Sequence, residues 1–180
     1  MTNPSHDPQD PQEILRARAR DLALKPDRQA HAGTTLDVLE FRLAQERYAV
    51  ENRYVQEVAP FKDLTPLPCT PSFVRGIVNL RGRILPVLDL KKFFDLPEKG
   101  LTDLHRIIFV RHADLEVGLL ADEIAGVRAI PMDSVQPSLP TLSAIRSEYL
   151  KGVTLERLVI LDLGRMLSDP RIFVHEEVET

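Results

Sequence analysis

The sequence predicts an all-β fold of two small barrels that share one hydrophobic core. Three observations carry that expectation. Short segments of alternating apolar and polar residues follow one another closely, with turn residues between them. The layout of residues 36–58 recurs at 106–127, and that of 73–90 recurs at 149–163, so the architecture reads as duplicated. Each half, about 36–100 and about 101–168, is too short to bury a stable core alone, so the two must share one.

Composition narrows the function. At 43% hydrophobic residues the 180-residue chain can fill an interior; with no Trp and few aromatics, Val, Ile and Leu must do so. A net charge of −4 argues against nucleic acid as partner, because neutralising phosphates needs a concentrated basic face. Cys69 is alone, which excludes an internal disulfide and fits a reducing compartment. The N-terminus MTNPSHDPQDPQEIL has no signal-peptide pattern, and no run reaches the ~18 apolar residues of a membrane span. The expectation is a cytoplasmic protein with no direct membrane insertion.

The elements follow in order. Residues 1–35 form a partly disordered extension, in which Asp10-Pro11 starts and Pro26 ends a short amphipathic helix over about 11–24. From Leu36 the period changes to two: Leu39, Phe41 and Leu43 alternate with Glu40 and Arg42, and Ala44-Gln45-Glu46 turns the chain into a β-hairpin. TPLPCTPSF, 65–73, is an extended loop because prolines cannot donate to a ladder. FVRGIVNLRGRILPVLDL, 73–90, reads as two strands about a turn at Arg81-Gly82; a helical turn and a loop over 91–103 follow. RIIFVRH then opens the second copy, with His112 placed in its hairpin turn. Phe73-Val74-Arg75-Gly76-Ile77 matches Tyr149-Leu150-Lys151-Gly152-Val153, and Val87-Leu88-Asp89-Leu90 matches Ile160-Leu161-Asp162-Leu163. The second copy lacks the Asn79-Leu80-Arg81-Gly82-Arg83 elbow. The continuous apolar runs Ile84–Leu88 and Leu158–Leu161 suit the interface between barrels, since strands covered on both faces lose alternation. Residues 169–180 form a tail.

No pattern supports catalysis. His6, His31, His105, His112 and His175 show no ligand spacing, and one Cys cannot build a zinc site. The pairs Asp122-Glu123 and Glu176-Glu177 read as solvated surface. RGIVNLRGR is not a phosphate loop, because its glycines are followed by a strand and not by a helix. What remains is recognition. Arg81 sits at a hairpin tip, where it can reach a partner's carboxylate, stay solvated, or pair internally with a residue such as Glu57. Val55 and Val58 flank Glu57 and are available to pack.

PSFVRGIVNLRGRILPVLDL resembles the signature of the CheW-like domain family, with RYAVENRYVQEV and TLSAIRSEYLKGV as supporting stretches, over about residues 36–168. That resemblance implies two SH3-like, five-stranded β-barrel subdomains. It implies an adaptor without enzymatic activity or cofactor, joining the cytoplasmic tip of a chemoreceptor to the regulatory domain of the histidine kinase CheA. Carried over by motif, partner binding falls on Val55, Glu57, Val58, Gly76, Asn79, Arg81 and Gly82. A scaffold of a chemosensory pathway other than chemotaxis is the first alternative, and a small-ligand-binding or enzymatic double-barrel protein, with the cleft between the halves as its site, is the second.

Overall fold

In the computed structural model, which describes residues 34–97, 105–137 and 147–172, the alternating segment after Thr34 folds as β1 (Thr35–Leu43) and β2 (Glu46–Glu51). They form an antiparallel hairpin that turns at Ala44 and Gln45. A 3-10 turn, Asn52–Tyr54, leads into β3 (Val55–Pro60). The proline-rich segment is extended and is tied to the sheet by a bridge from Thr65 to Ile77 and by Asp89 N donating to Phe73 O at 2.7 Å. β4 (Val74–Leu80) and β5 (Arg83–Asp89) make the second hairpin, and α1 (Leu90–Phe93) ends the half. The second half repeats the layout with β6 (Arg106–His112), β7 (Leu115–Ala121), β8 (Glu123–Pro131), β9 (Val135–Gln136), β10 (Leu150–Thr154), β11 (Leu158–Leu161) and α2 (Leu163–Leu167). The repeated Asp-Leu pair has a structural reason: Asp89 and Asp162 cap the two helices, accepting from Lys91 N at 3.0 Å and Arg165 N at 2.9 Å. His112 ends β6 instead of sitting in the turn; the left-handed residue there is Ala113, at φ 52°. The expected helix over 11–24, His6, His31, His175 and the Glu176-Glu177 pair lie outside the described residues.

The fold is all-β, in two sheets that share a core, as expected. One sheet has the order β8-β1-β2-β11-β10-β9, the other β3-β6-β7-β5-β4. Apart from the two-residue β9, the two orders are equivalent under the duplication. Each first hairpin pairs in parallel with the closing strand of the other half: Val87 lies beside Gly118, and Ile160 beside Ala49. Both sheets therefore draw strands from both sequence halves.

Burial follows this exchange. Alternate residues of one strand serve different cores, because each sheet has an inner face and a face toward the other sheet. Val78, Leu85, Val87, Ile107, Phe109 and Leu120 fill one sheet's interior, while Val38, Ala49, Ile130, Leu158 and Ile160 fill the other's. Their neighbours Leu39, Phe41, Tyr48, Val50, Leu88, Ile108, Val110, Leu119, Val159 and Leu161 form the large cluster between the sheets. Leu158–Leu161 is buried throughout, as its apolar run requires. Ile84–Leu88 is so only in part: Ile84 is 59% exposed, since it lies near the hairpin tip, beyond the core.

Gly76 and Gly152 occupy equivalent bulges, each following a register shift. A Cβ on Gly76 would lie 2.2 Å from Thr65 O, and φ is +145°. Thr65 is held there by reciprocal backbone bonds with Ile77, both 2.8 Å. Gly76→Ala is therefore expected to cost about 2–3 kcal/mol, combining backbone strain with overpacking. Urea denaturation checks it; a loss below about 0.5 kcal/mol would show that the 65–67 segment yields freely.

The Asp122-Glu123 pair is not simply solvated surface. Glu123 is exposed, but Asp122 lies at the corner between β7 and β8 and binds three elements. Its Oδ1 receives Lys91 Nζ and lies 2.8 Å from His105 Nε2, while its Oδ2 accepts from Ala44 N at 2.7 Å. Lys91 is 2% exposed and His105 is buried, so this carboxylate neutralises a cation that cannot reach water. Burial pushes the Asp122 carboxyl up, but the bonds from Lys91 and Ala44 outweigh it and hold the group below the usual range.

Candidate functional site

The β4–β5 hairpin projects beyond its duplicate. Strands of seven residues meet at Arg81-Gly82, whereas the counterpart turns at Leu155–Arg157 between strands of five and four. Both turn residues are left-handed, Arg81 at φ 52° and Gly82 at φ 85°, the geometry of a two-residue type I′ turn. Asn79 completes it by accepting from Gly82 N at 2.7 Å. The Asn-Leu-Arg-Gly run thus makes the tip locally: Asn79 and Gly82 shape it, and Arg81 is presented by it.

Arg81 reaches across to β3, where its Nη2 lies 2.8 Å from Glu57 Oε2. The internal pair is the alternative the structure adopts. The guanidinium nevertheless remains 79% exposed, against 28% for Glu57. Such an exposed pair contributes about 0–1 kcal/mol, so it orients Arg81 without consuming it; further N–H donors point to solvent. Because β3 and β4 are the two edge strands of their sheet, the pair spans the sheet's open side.

The other expected residues separate into two groups. Val55 packs partly against the shared core. Val58 does not pack; it is 39% exposed, because burial alternates strictly along β3, which puts Val55, Glu57 and Ala59 on one face and Val58 on the other. Gly76 is buried and serves the framework.

Residues that the sequence reading passed over complete the rim. Glu116 of β7 binds both Arg83, at the base of the tip, and Arg111, its cross-strand partner on β6. Burial raises the Glu116 carboxyl, and bonds from Arg83 and Arg111 more than offset this, keeping it ionised below the usual range. The signal was the register itself, which places Arg111 opposite Glu116. Beyond the β6–β7 turn lies an open pocket of about 380 Å³ lined by His112, Asp114, Leu115, Leu167 and Ser168. Tyr54 meets the His112 ring edge-on at 5.5 Å and carries Arg53 on its face at 4.7 Å. Among the described residues no three His, Cys, Asp or Glu side chains gather to hold a metal. Cys69 is exposed.

The duplicated β fold extends one hairpin in one half only and presents on it an exposed guanidinium, a group enriched at protein-binding surfaces. The chain belongs to the CheW-like domain family, whose model matches residues 37–171. It is 31% identical to the chemotaxis protein CheW of Treponema pallidum over 142 residues, covering 75% of this chain and 84% of that one. It is 32% identical to the protein PilI of Pseudomonas aeruginosa, covering 76% of each. The crystal structure of the scaffolding protein TtCheW from Thermoanaerobacter tengcongensis superposes with a TM-score of 0.66 at 34% identity, covering 74% of this chain and 88% of that one. The protein is thus a CheW-type adaptor of chemosensory signalling. No helix among the described residues is long and apolar enough to cross a membrane.

Proposed function

We propose that the protein couples the cytoplasmic signalling tip of chemoreceptors to the regulatory domain of the histidine kinase CheA, in the cytoplasm and without catalysing a reaction. The observation that carries this reading is the exposed Arg81 guanidinium, held in place by Glu57 on a hairpin that only one of the two similar halves extends. A helical receptor tip offers carboxylates for Arg81 and apolar side chains for Val58 and the edge of Val55. Asn79 and Gly82 act through the turn, and Gly76 through the seating of β4. The decisive measurement is pairwise and ternary binding of the purified protein to a receptor-tip fragment and to the CheA regulatory domain. Binding to both is expected, and binding to neither would sink the reading.

A second reading has its own observation: the chain is as similar to PilI, at 32%, as to a chemotaxis CheW, at 31%. The same coupling would then serve a chemosensory pathway other than chemotaxis. Which receptor co-purifies with the native protein separates the two.

A further inference from the structure

The duplication exposes one cation that has lost its counterpart. Lys151, on the bulge of β10, pairs with Glu51 of β2 at 2.7 Å. Its equivalent is Arg75, on the matching bulge of β4. The position equivalent to Glu51 follows from the parallel pairs: Ala49 corresponds to Gly118, so Glu51 corresponds to Leu120. Leu120 is fully buried and apolar. The cation has been kept and the anion replaced by a core residue.

The Arg75 side chain accordingly has no hydrogen bond or ion pair among the described residues, and its Nε is buried without a partner. Folded structures seldom leave a guanidinium N–H in that state, because the desolvation is uncompensated. The simplest alternative is an aliphatic stem packed on the sheet end with its head in water, as long cationic chains commonly do. That leaves the buried Nε unexplained, and it does not explain why Arg stands where the duplicate has a paired Lys. A planar fork with two or more free donors fits a carboxylate bidentately, which an ammonium cannot match.

We infer that Arg75 is a second specificity-determining contact, which receives a carboxylate from an acidic segment of the same receptor tip that Arg81 engages. Resting on the coupling reading above, it adds a site on β4 six residues from Arg81, roughly 20 Å along the strand at ~3.3 Å per residue. The two arginines then fix the orientation of a bound partner, where Arg81 alone would fix only a point.

The test uses the full chain with Arg75→Gln, Arg75→Lys and, as a control at the duplicate site, Lys151→Gln. Binding to the receptor-tip fragment and to the CheA regulatory domain is measured at two salt concentrations, with thermal melts alongside. Arg75→Gln is expected to weaken the receptor-tip complex about tenfold, more at low salt than at high, leaving the complex with the CheA regulatory domain and the melting temperature unchanged. Arg75→Lys should recover part of the loss, and Lys151→Gln should change stability but neither affinity. Unchanged affinities for Arg75→Gln, with wild-type binding intact, would overturn this inference alone. A wild-type protein that bound neither partner would overturn the coupling reading and this contact together. Competition by inorganic phosphate at millimolar concentration would make Arg75 a small-anion seat and overturn the docking role.

Discussion

Asp122→Ala is expected to cost about 3–5 kcal/mol, the range observed when one partner of a buried ion pair is removed. The magnitude follows from Lys91, which is 2% exposed and has Asp122 as its ion-pair partner. Without the carboxylate the ammonium stays buried and uncompensated, and the Ala44 N–H loses its acceptor at a turn residue with φ 56°. Urea denaturation with a constant m-value would measure the loss. Lys91→Met combined with Asp122→Leu should recover a large part of it, because a buried pair replaced by apolar groups is often neutral. A single variant within about 1 kcal/mol of wild type would mean that Lys91 finds water by a small shift, and the buried-pair account would fail.

The same site sets an acid dependence. The folded Asp122 carboxyl lies below its unfolded value, so its stabilisation is present above the unfolded pKa, near 4, and is lost as pH falls through the folded pKa. Asp122→Asn should therefore be less stable than wild type at neutral pH and show a shallower decline below about pH 4. Equal acid limbs in the two proteins would contradict this.

How much of this was legible in the sequence depends on range. Hairpins were legible because their signals are local: alternation, a turn residue such as Ala44 or Gly82, prolines between. The strand exchange was not, since nothing in Val87 or Gly118 names its parallel neighbour; that pairing is decided by which faces the whole chain can bury. Val58 faces outward although Val55 packs, because the two lie three residues apart on a strand whose burial alternates with a period of two, and that spacing puts them on opposite faces. Asp122 was misjudged because adjacent acidic residues are usually solvated. The clue lay elsewhere, in LKKFF: Lys91 stands among Leu90, Phe93 and Phe94, a cation on an apolar turn that needs an anion nearby. The tip was the most legible feature of the site, because Asn79, Arg81 and Gly82 act within one turn. Glu57 as the internal partner of Arg81 could be raised from sequence, but only the fold chose it.

That choice makes Arg81→Glu the second large effect, on binding and not on stability. Reversing the charge places a carboxylate against Glu57 and against any carboxylate of the receptor tip. Affinity should fall by at least about tenfold, whereas stability should change by less than about 1 kcal/mol, since the residue is exposed. The single variant cannot distinguish a direct contact from a tip that Glu57 no longer orients. The swap Arg81→Glu with Glu57→Arg can. It rebuilds an ion pair between the same two strands with reversed polarity, so an orienting role alone predicts recovered binding. A direct contact predicts no recovery, because the group presented at the tip is still an anion. Glu57→Gln should do the opposite of either. It frees the guanidinium without reversing it, so affinity should change by a few-fold at most, with a steeper dependence on salt as the unpaired arginine competes for ions. Recovery by the swap would assign Arg81 to the architecture of the tip; failure of the swap together with near-normal binding by Glu57→Gln would assign it to the interface.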